Sequence, residues 1–228
     1  MTFRFSIFQM TKGENMKVVC IDFETANEFR GSICSVGIAT IIDGHFHETE
    51  EFLIKPHSRY DYFDPFNVSI HGITKSATRN ALEINQLLPQ IIPLLENAVV
   101  IAHNAAFDMS AMRYALQLYN IPFPVFDYMC TCKIANQVWK DLENYKLDTL
   151  CRHLKHEFKH HNAKEDAIAA GKILLAAMSR INVADPYDLA KAINLKTGKM
   201  YPDRYTPCSL KGPSKKKKDN TCLGVKNI

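Results

Sequence analysis

Residues 17–24 read Lys-Val-Val-Cys-Ile-Asp-Phe-Glu, an apolar β-rich run that ends in two carboxylates separated by one residue. A nearly continuous apolar run of this length is typical of a strand that is buried in a sheet. Alternate side chains of a strand share a face, so Phe23 is predicted to point into the core while Asp22 and Glu24 face the other way. Two carboxylates on one face repel each other unless a cation lies between them. The segment therefore predicts a buried strand with a candidate cation site at its end.

The residues that follow alternate between β-like and helical patterns. Two β-like runs, 32–42 and 45–54, flank Asp43-Gly44, which is a strong hairpin signal. The Pro-, Tyr-, Asp- and Asn-rich residues 56–72 predict a loop, and Thr74 is a candidate cap for a short turn. Further strands are predicted at 98–102 and 125–128, and helices at 81–95, 106–119, 131–138, 147–154 and 163–178. Pro89 and Pro93 are expected to shorten or kink the first of these helices.

This order of elements predicts an α/β fold with a mixed central sheet flanked by helices. Ligands in such folds bind where strands end and helices begin. The chain is expected to divide into an N-terminal extension (1–15), a folded domain (16–180) and a C-terminal extension (181–228) with a disordered basic tail. Because Met16 leads straight into the first strand, we expect it to be the natural start.

The positive charge of the chain is concentrated in its last residues. Residues 211–228 contain six Lys and one Asp, so removing their +5 from the total of +4 leaves −1 for the rest. Overall basicity is therefore no evidence that the folded domain binds nucleic acid. The run from Lys215 to Lys218 favours a solvated tail, and a weak phosphate-attracting arm is the alternative.

Cysteine usage and hydropathy predict the compartment. The seven cysteines follow no regular spacing, which favours reduced thiols and a cytoplasmic location over a disulfide scaffold. No apolar stretch of about 18 residues occurs, so no membrane span is expected.

Three further polar residues extend the candidate cation site. Asp108 follows an apolar run and His103-Asn104, near the start of a predicted helix. A first-turn Asp that only satisfies the helix dipole is the structural alternative. His161 precedes the Ala-rich helix that carries Asp166, so an imidazole on a loop would accompany a fixed helical carboxylate.

These residue types fit a two-metal site. Four carboxylates suit two hard divalent ions such as Mg²⁺ or Mn²⁺, which prefer oxygen ligands. Two such ions can activate water and stabilise the leaving oxygen when a phosphodiester is cleaved. The near-neutral pKa of a histidine suits it to take the proton of the attacking water.

The ordered motifs VVCIDFET (18–25), HGIT (71–74), VVIAHNAAFD (99–108) and HNAKEDA (161–167) resemble the DEDD exonuclease superfamily. The five-residue interval from His161 to Asp166 resembles its histidine (DEDDh) branch, which includes the proofreading epsilon subunit of bacterial DNA polymerase III. The tyrosine branch would need a Tyr where this chain has Asn162. The resemblance covers residues 17–180 and implies an RNase H-like fold.

The resemblance also implies an activity, namely 3′→5′ removal of nucleoside 5′-monophosphates from DNA or RNA ends. It implies that His161 is the general base and that four residues bind the metal ions: Asp22, Glu24, Asp108 and Asp166. His160 is expected to have a loop or structural role. The implied substrate-binding residues are Thr25, His71, Ile73 and Phe107, although core packing is an equal alternative for the last two. Residues 25–27 are Thr-Ala-Asn where many relatives have Thr-Thr-Gly, which leaves the substrate contact there open.

Two alternatives compete with this interpretation. The stretch from His156 to His160 matches H-E-x-x-H, the zinc metalloprotease motif, but it meets His161-Asn162 instead of continuing as a long helix. An accessory module that docks on a polymerase or nucleic acid is the alternative function. No polymerase-docking segment is recognisable, which favours a standalone repair or maintenance nuclease, and no residue separates DNA from RNA as substrate.

Overall fold

The computed structural model describes residues 16–157 and 160–210. Within these ranges the strands are β1 (Lys17–Thr25), β2 (Ile33–Ile42), β3 (His45–Leu53), β4 (Ala98–Ala102), β5 (Phe126–Cys130), β6 (Leu195–Lys196), β7 (Gly198–Met200), β8 (Tyr205–Thr206) and β9 (Ser209–Leu210). The helices are α1 (Pro65–His71), α2 (Lys75–Thr78), α3 (Ile84–Leu95), α4 (Ala106–Leu118), α5 (Thr131–Val138), α6 (Leu147–His153), α7 (Ala163–Ile181) and α8 (Pro186–Ala192).

The described strands form a seven-stranded sheet in the order β3-β2-β1-β4-β5-β7-β8, and β6 pairs separately with β9. β1 pairs antiparallel with β2 and parallel with β4, so it lies inside the sheet. Val19 and Cys20 are fully buried there, as the apolar run predicts. The mixed sheet and its flanking helices confirm the predicted fold class.

The hairpin between β2 and β3 is also confirmed. Ile42 pairs with His45, which leaves Asp43 and Gly44 as the two loop residues. Both have positive φ, 50° and 78° respectively. A two-residue hairpin turn with positive φ at both positions matches the right-handed twist of its strands, which is why Asp-Gly is favoured there.

The helices pack against the sheet in two groups. α7 contacts β1, β2 and β4 and is itself contacted by α5, α6 and α8, while α3 and α4 contact each other and pack on β4 and β1. The buried side of α7 is built from small and branched residues, including Ala170, Ile173 and Leu174. This packing brings the first turn of α7 and the first turn of α4 to the same end of β1.

The prediction of a loop over residues 56–72 was wrong in part. A 3-10 turn covers Ser58–Tyr60 and α1 covers Pro65–His71. Asp64 caps α1 by accepting from the Phe66 N–H at 2.8 Å. Asp followed by Pro is an N-cap followed by a favourable first helical residue, and this signal outweighed the loop-like composition. Thr74 does cap the short α2, as expected.

The prolines of the predicted helix 81–95 do not end it. α3 begins later than predicted, at Ile84, because Glu83 and Gln86 form a capping box there. Pro89 and Pro93 lie inside the helix, which continues to Leu95. Its buried side keeps helical spacing through Leu87 and Ile91.

Residues 181–210 are more ordered than their weak pattern indicates. Within them α8 begins after the cap Asp185, and β7 pairs antiparallel with β5. Met200 and Leu189 are fully buried. Strands of two or three residues are too short to show a period in the sequence. The boundary proposed at residue 180 stays a prediction, and the N-terminal extension, Met1 and the Lys-rich tail lie outside the described residues.

The predicted compartment was inferred from the thiols and from the absence of a long apolar stretch. The described cysteines are free, and most of them are buried. In the part of the chain that the structure describes, no single helix is long and apolar enough to cross a membrane. α7 and α8 satisfy that length and composition only as a pair, across a bend of 61°.

Candidate active site

The carboxylates of Asp22 and Glu24 stand on one face of β1. Phe23 between them is 3% exposed and points into the core, as the strand alternation predicts. Oxygens of Asp22, Glu24 and Asp166 all lie within 4.8 Å of one another. Residues 144 positions apart in the chain therefore meet at the end of this strand.

Asp108 reaches the same place from α4. It lies in the first turn of that helix and is 1% exposed. Its Oδ1 accepts a hydrogen bond from the Phe23 N–H at 3.1 Å. The position of Asp108 near a helix start is the one predicted, but the hydrogen bond ties it to β1, which a helix-dipole role alone does not require.

Asp166 is held by the start of α7. Asn162 caps this helix by accepting from the Glu165 N–H at 3.0 Å. Gly37 of β2, which pairs with Asp22, lies directly against the first residue of α7. A Cβ at residue 37 would overlap the backbone carbonyl of Ala163. The absent side chain thus lets the helix approach the sheet closely enough for Asp166 to join the cluster.

Two adjacent histidines border Asp166. The ring Nδ1 of His160 lies 3.2 Å from Asp166 Oδ1, and the His161 backbone N–H donates to Asp166 Oδ2 at 3.2 Å. The two imidazoles stack with centroids 3.8 Å apart. His161 has a φ of 64°, and a ring nitrogen of it lies within 4.8 Å of an Asp166 oxygen. His160 was expected only to have a loop or structural role, and its contact with Asp166 was not foreseen.

The electrostatics of the cluster favour a bound cation. Burial, and then the neighbouring carboxylates, raise the pKa of Glu24 to about 8 and hold that of Asp22 well above its ordinary value. Burial also raises the pKa of Asp108 to about 7, against the opposing hydrogen bond from Phe23. The pKa of Asp166 is raised by burial and lowered in part by His160. Carboxylates are therefore crowded here, and a bound cation would relieve their repulsion.

The donor set fits hard divalent ions. The carboxylates supply oxygen ligands only, which suits Mg²⁺ or Mn²⁺ better than a soft metal. A cation among Asp22, Glu24 and Asp166 would offset the burial that raises all three pKa values and the repulsion that raises those of Asp22 and Glu24 further. The zinc-protease alternative finds no support, because His156 and His160 lie outside α6 and α7 and His156 Nδ1 is 3.0 Å from Lys172 Nζ.

A second group of predicted residues gathers around the end of β1. The Thr25 carbonyl accepts from Asn67 Nδ2 at 2.8 Å and lies 3.2 Å from His71 Nε2. His71 Nδ1 accepts from the Ile73 N–H at 3.0 Å, which leaves Nε2 as the donor to Thr25. Burial lowers the pKa of His71, in keeping with a neutral ring. α1 is thereby fixed beside Glu24, and Asn67, which the sequence did not single out, shares this task.

Two more predicted substrate-binding residues, Phe107 and Ile73, are partly exposed. Phe107 precedes Asp108 on α4 and is half-buried, with the Arg30 guanidinium 5.4 Å above its ring centroid. Ile73 is also half-buried. Neither residue is sealed in the core.

Asn27 has a structural role in the Thr-Ala-Asn sequence at residues 25–27, where many relatives have Thr-Thr-Gly. Its side chain is 1% exposed, donates to the carbonyls of Tyr60 and Tyr62 at 3.0 and 2.8 Å, and accepts from the Phe29 N–H. The Asn27 N–H donates to Ser32 Oγ at 3.1 Å. This Asn therefore organises the loop after β1 and is buried away from the surface.

Comparison with known proteins agrees with this geometry. The sequence profile of the Exonuclease family (RNase_T) matches residues 19–174, more than half of the chain. The chain belongs to this family. The resemblance read from the motifs is thus confirmed, and the described cluster lies inside the matched exonuclease region.

Related sequences include replicative polymerases. The exonuclease chain is 28% identical over 186 residues to the DNA polymerase III PolC-type of Thermotoga petrophila, covering 80% of this chain and 13% of that protein. It is 29% identical over 171 residues to the PolC-type polymerase of Caldanaerobacter subterraneus, covering 72% and 12%. The chain therefore spans about an eighth of the length of these relatives.

Solved exonuclease structures share the fold. Exonuclease X, in complex with 5′ overhanging duplex DNA, superposes with a TM-score of 0.63 at 22% identity, covering 77% of this chain and 99% of that one. The nuclease domain of 3′hExo, described as a DEDDh family member bound to rAMP, gives 0.64 at 16% identity, covering 74% and 94%. These likenesses confirm an RNase H-like exonuclease architecture.

Proposed function

We propose that this exonuclease works in the 3′→5′ direction and releases nucleoside 5′-monophosphates from DNA or RNA ends. The observation that carries the proposal is the convergence of four carboxylates from three chain segments at one end of β1, with His161 beside them. The proposed exonuclease unit is residues 16–180, which include the family match at 19–174. PolC-type relatives support a polymerase context as the proposed alternative setting.

Asp22, Glu24, Asp108 and Asp166 are proposed to hold two divalent ions. When bound, such ions supply activation of water and stabilisation of the leaving oxygen. The chain's own part is to keep the ligands in place. The Phe23 N–H holds Asp108, while the His160 ring and the His161 N–H hold Asp166.

His161 is proposed as the general base. Burial and the adjacent His160 lower its pKa, so its ring is neutral near pH 7 and has a nitrogen free to accept the proton of the attacking water. His161 is exposed, which lets the proton pass on to solvent. Thr25, His71, Ile73 and Phe107 are proposed to position the terminal nucleotide.

The raised pKa values predict how ion binding depends on pH. Glu24 and Asp108, with pKa values raised to about 8 and about 7, are favoured in the fold when protonated. Below the unfolded-state pKa of about 4 they cost nothing, and between there and about 8 the metal-free free energy of unfolding falls as pH rises. Divalent ions remove this penalty. We expect Mg²⁺ or Mn²⁺ to raise Tm far more at pH 8.5 than at pH 5.5.

Thermal denaturation at both pH values, with K⁺ at matched ionic strength as the control, measures this difference. An equal rise in Tm at the two pH values would contradict the proposal that ions bind at these carboxylates.

The function itself is tested with single strands labelled at either end. With Mg²⁺ or Mn²⁺, a 3′ label should be released at once as a labelled mononucleotide, while a 5′ label should remain on a ladder of shortening products. DNA, RNA and short oligonucleotides in the same assay rank the substrates. Immediate release of a 5′-labelled mononucleotide, or no mononucleotide from any strand, would reject the proposed direction or activity.

A further inference from the structure

Beside Asp108, aromatic rings and arginine guanidinium groups alternate along one side of α4. Some of them belong to α4 and others to segments that pack on it. Arg30 lies over Phe107, with 5.4 Å between Cζ and the ring centroid. About two turns further along the helix, Arg113 lies 5.9 Å from the Tyr114 centroid and stacks on Tyr205 at 3.8 Å. We call these five residues the basic–aromatic face. It begins next to the carboxylates, because Phe107 precedes Asp108, and Phe107 to Tyr114 spans about 10 Å of helix.

Arg30 is held against α4 by the loop that carries it. Its Nη1 donates to Ser110 Oγ at 2.6 Å. A Cβ on Gly31 would lie 2.9 Å from the backbone of Tyr114, so the loop packs directly on the helix. Phe29 stacks on Tyr60 with centroids 3.8 Å apart. The Arg30 guanidinium is therefore fixed in position over Phe107, the residue before Asp108.

The two guanidinium groups keep hydrogen-bond donors to spare. Within residues 16–157 and 160–210, neither forms an ion pair with a carboxylate. Arg30 donates through Nη1 and Arg113 through Nε, to the Met109 carbonyl at 3.2 Å. Since an arginine carries five N–H donors in a fork that matches phosphate oxygens, both can take a phosphate without losing these contacts. The nearby Glu28 is hydrogen-bonded to Tyr62.

The exposed rings suit unpaired bases. Tyr114 and Tyr205 are each 44% exposed, so their rings are accessible from solvent. Rings interleaved with cations along a groove or ridge are how single strands are bound without sequence preference, by base stacking together with phosphate attraction. Tyr205 comes from β8, so the C-terminal part of the chain contributes to this face.

We propose that the basic–aromatic face binds the single-stranded segment lying 5′ of the terminal nucleotide. Arg30 and Arg113 contact its phosphates, and its bases stack on Tyr114 and Tyr205. This inference rests on the proposed function, because it assumes that a 3′ end occupies the carboxylate cluster.

Binding of a fluorescent single-stranded oligonucleotide to the full chain, with Ca²⁺ in place of Mg²⁺, tests the proposal. The double variant Arg30→Ala/Arg113→Ala should raise Kd about 10-fold or more and reduce the slope of log K against log salt by about 1.4, or about 0.7 per lost phosphate contact. Tyr114→Ala should weaken binding by about 5-fold or more, whereas Tyr114→Phe should retain it. Arg180→Ala, an exposed arginine in the last turn of α7, is the matched control.

Wild-type affinity and an unchanged salt slope in the double variant, with its Tm retained, would overturn the proposal. So would retained oligonucleotide binding together with lost binding to a polymerase, which would assign the face to a protein partner. Mononucleotide release by the wild-type chain is measured in parallel. If it is absent while the arginine-dependent binding remains, the proposed function fails, and only the binding of single strands by this face stands, without a 3′ end in the cluster. If it is present and the variants bind normally, only this inference fails.

Discussion

Asp22→Asn is expected to lower the rate of mononucleotide release by about 10³-fold or more, equivalent to about 4 kcal/mol of barrier. Asp22 lies at the centre of the cluster, within 4.8 Å of Glu24 and Asp166 through its oxygens, so its loss removes a ligand from the proposed ion site. The same change removes a carboxyl group whose charged form repels Glu24, Asp108 and Asp166. We therefore expect the metal-free variant to have a higher Tm than wild type at pH 8.

Single-turnover kinetics and thermal denaturation in EDTA measure the two effects. Asp203→Asn, at an exposed carboxylate paired with Arg204, is the control and should behave as wild type. His161→Ala offers a contrast, because it should lose turnover while keeping the rise in Tm caused by divalent ions. If Asp22→Asn retains turnover, the two-ion assignment is wrong.

Gly37→Ala is expected to destabilise the fold by about 3 kcal/mol and to reduce nuclease activity as well. The added Cβ would overlap the Ala163 carbonyl, which is backbone and cannot rotate away. The first turn of α7 must then move off β2, and Asp166 moves with it. Urea denaturation and the rate of mononucleotide release test the two consequences.

Gly171→Ala, on the α7 side of the contact between α7 and the sheet, is the matched control. Its Cβ would approach the ends of the Ile41 and Phe46 side chains at 2.9 Å and Cys20 Sγ at 3.1 Å. Side-chain ends can shift, and replacing a Gly inside a helix gains up to about 1 kcal/mol in helix propensity. We expect stability close to wild type. Equal destabilisation by both substitutions would show that the overlap with the Ala163 carbonyl is not the cause of the effect of Gly37→Ala.

Elements with a strong local signal could be predicted from the sequence. β1 carries a continuous apolar run, and the β2–β3 hairpin carries Asp43-Gly44 at its turn. The loop-like composition of residues 56–72 conceals α1, whose one local signal is the Asp64-Pro65 start. The strands after α8 are too short to show a period, and they form because β7 can pair with the free edge of β5. Pairing with a distant strand leaves no local mark in the sequence.

The candidate site was predicted where residue type alone carries the chemistry. The carboxylates and His161 stand out by motif, and the fold brings them together. The supporting contacts could not be predicted in this way, because they join segments far apart in the chain. Asn67 binds the Thr25 carbonyl across 42 positions, and Asn27 binds Tyr62 across 35. An asparagine in a polar stretch gives no sign of its partner.

The strand that carries Asp22 and Glu24 extends beyond one of its neighbours. The pairing of β1 with β4 covers only Lys17 to Cys20, so among the described strands β2 alone pairs with Asp22 and Glu24. On the other side of β1, the Phe23 N–H donates to Asp108 on α4. The early end of β4 thus frees a backbone donor of β1 to hold a carboxylate of the cluster in place.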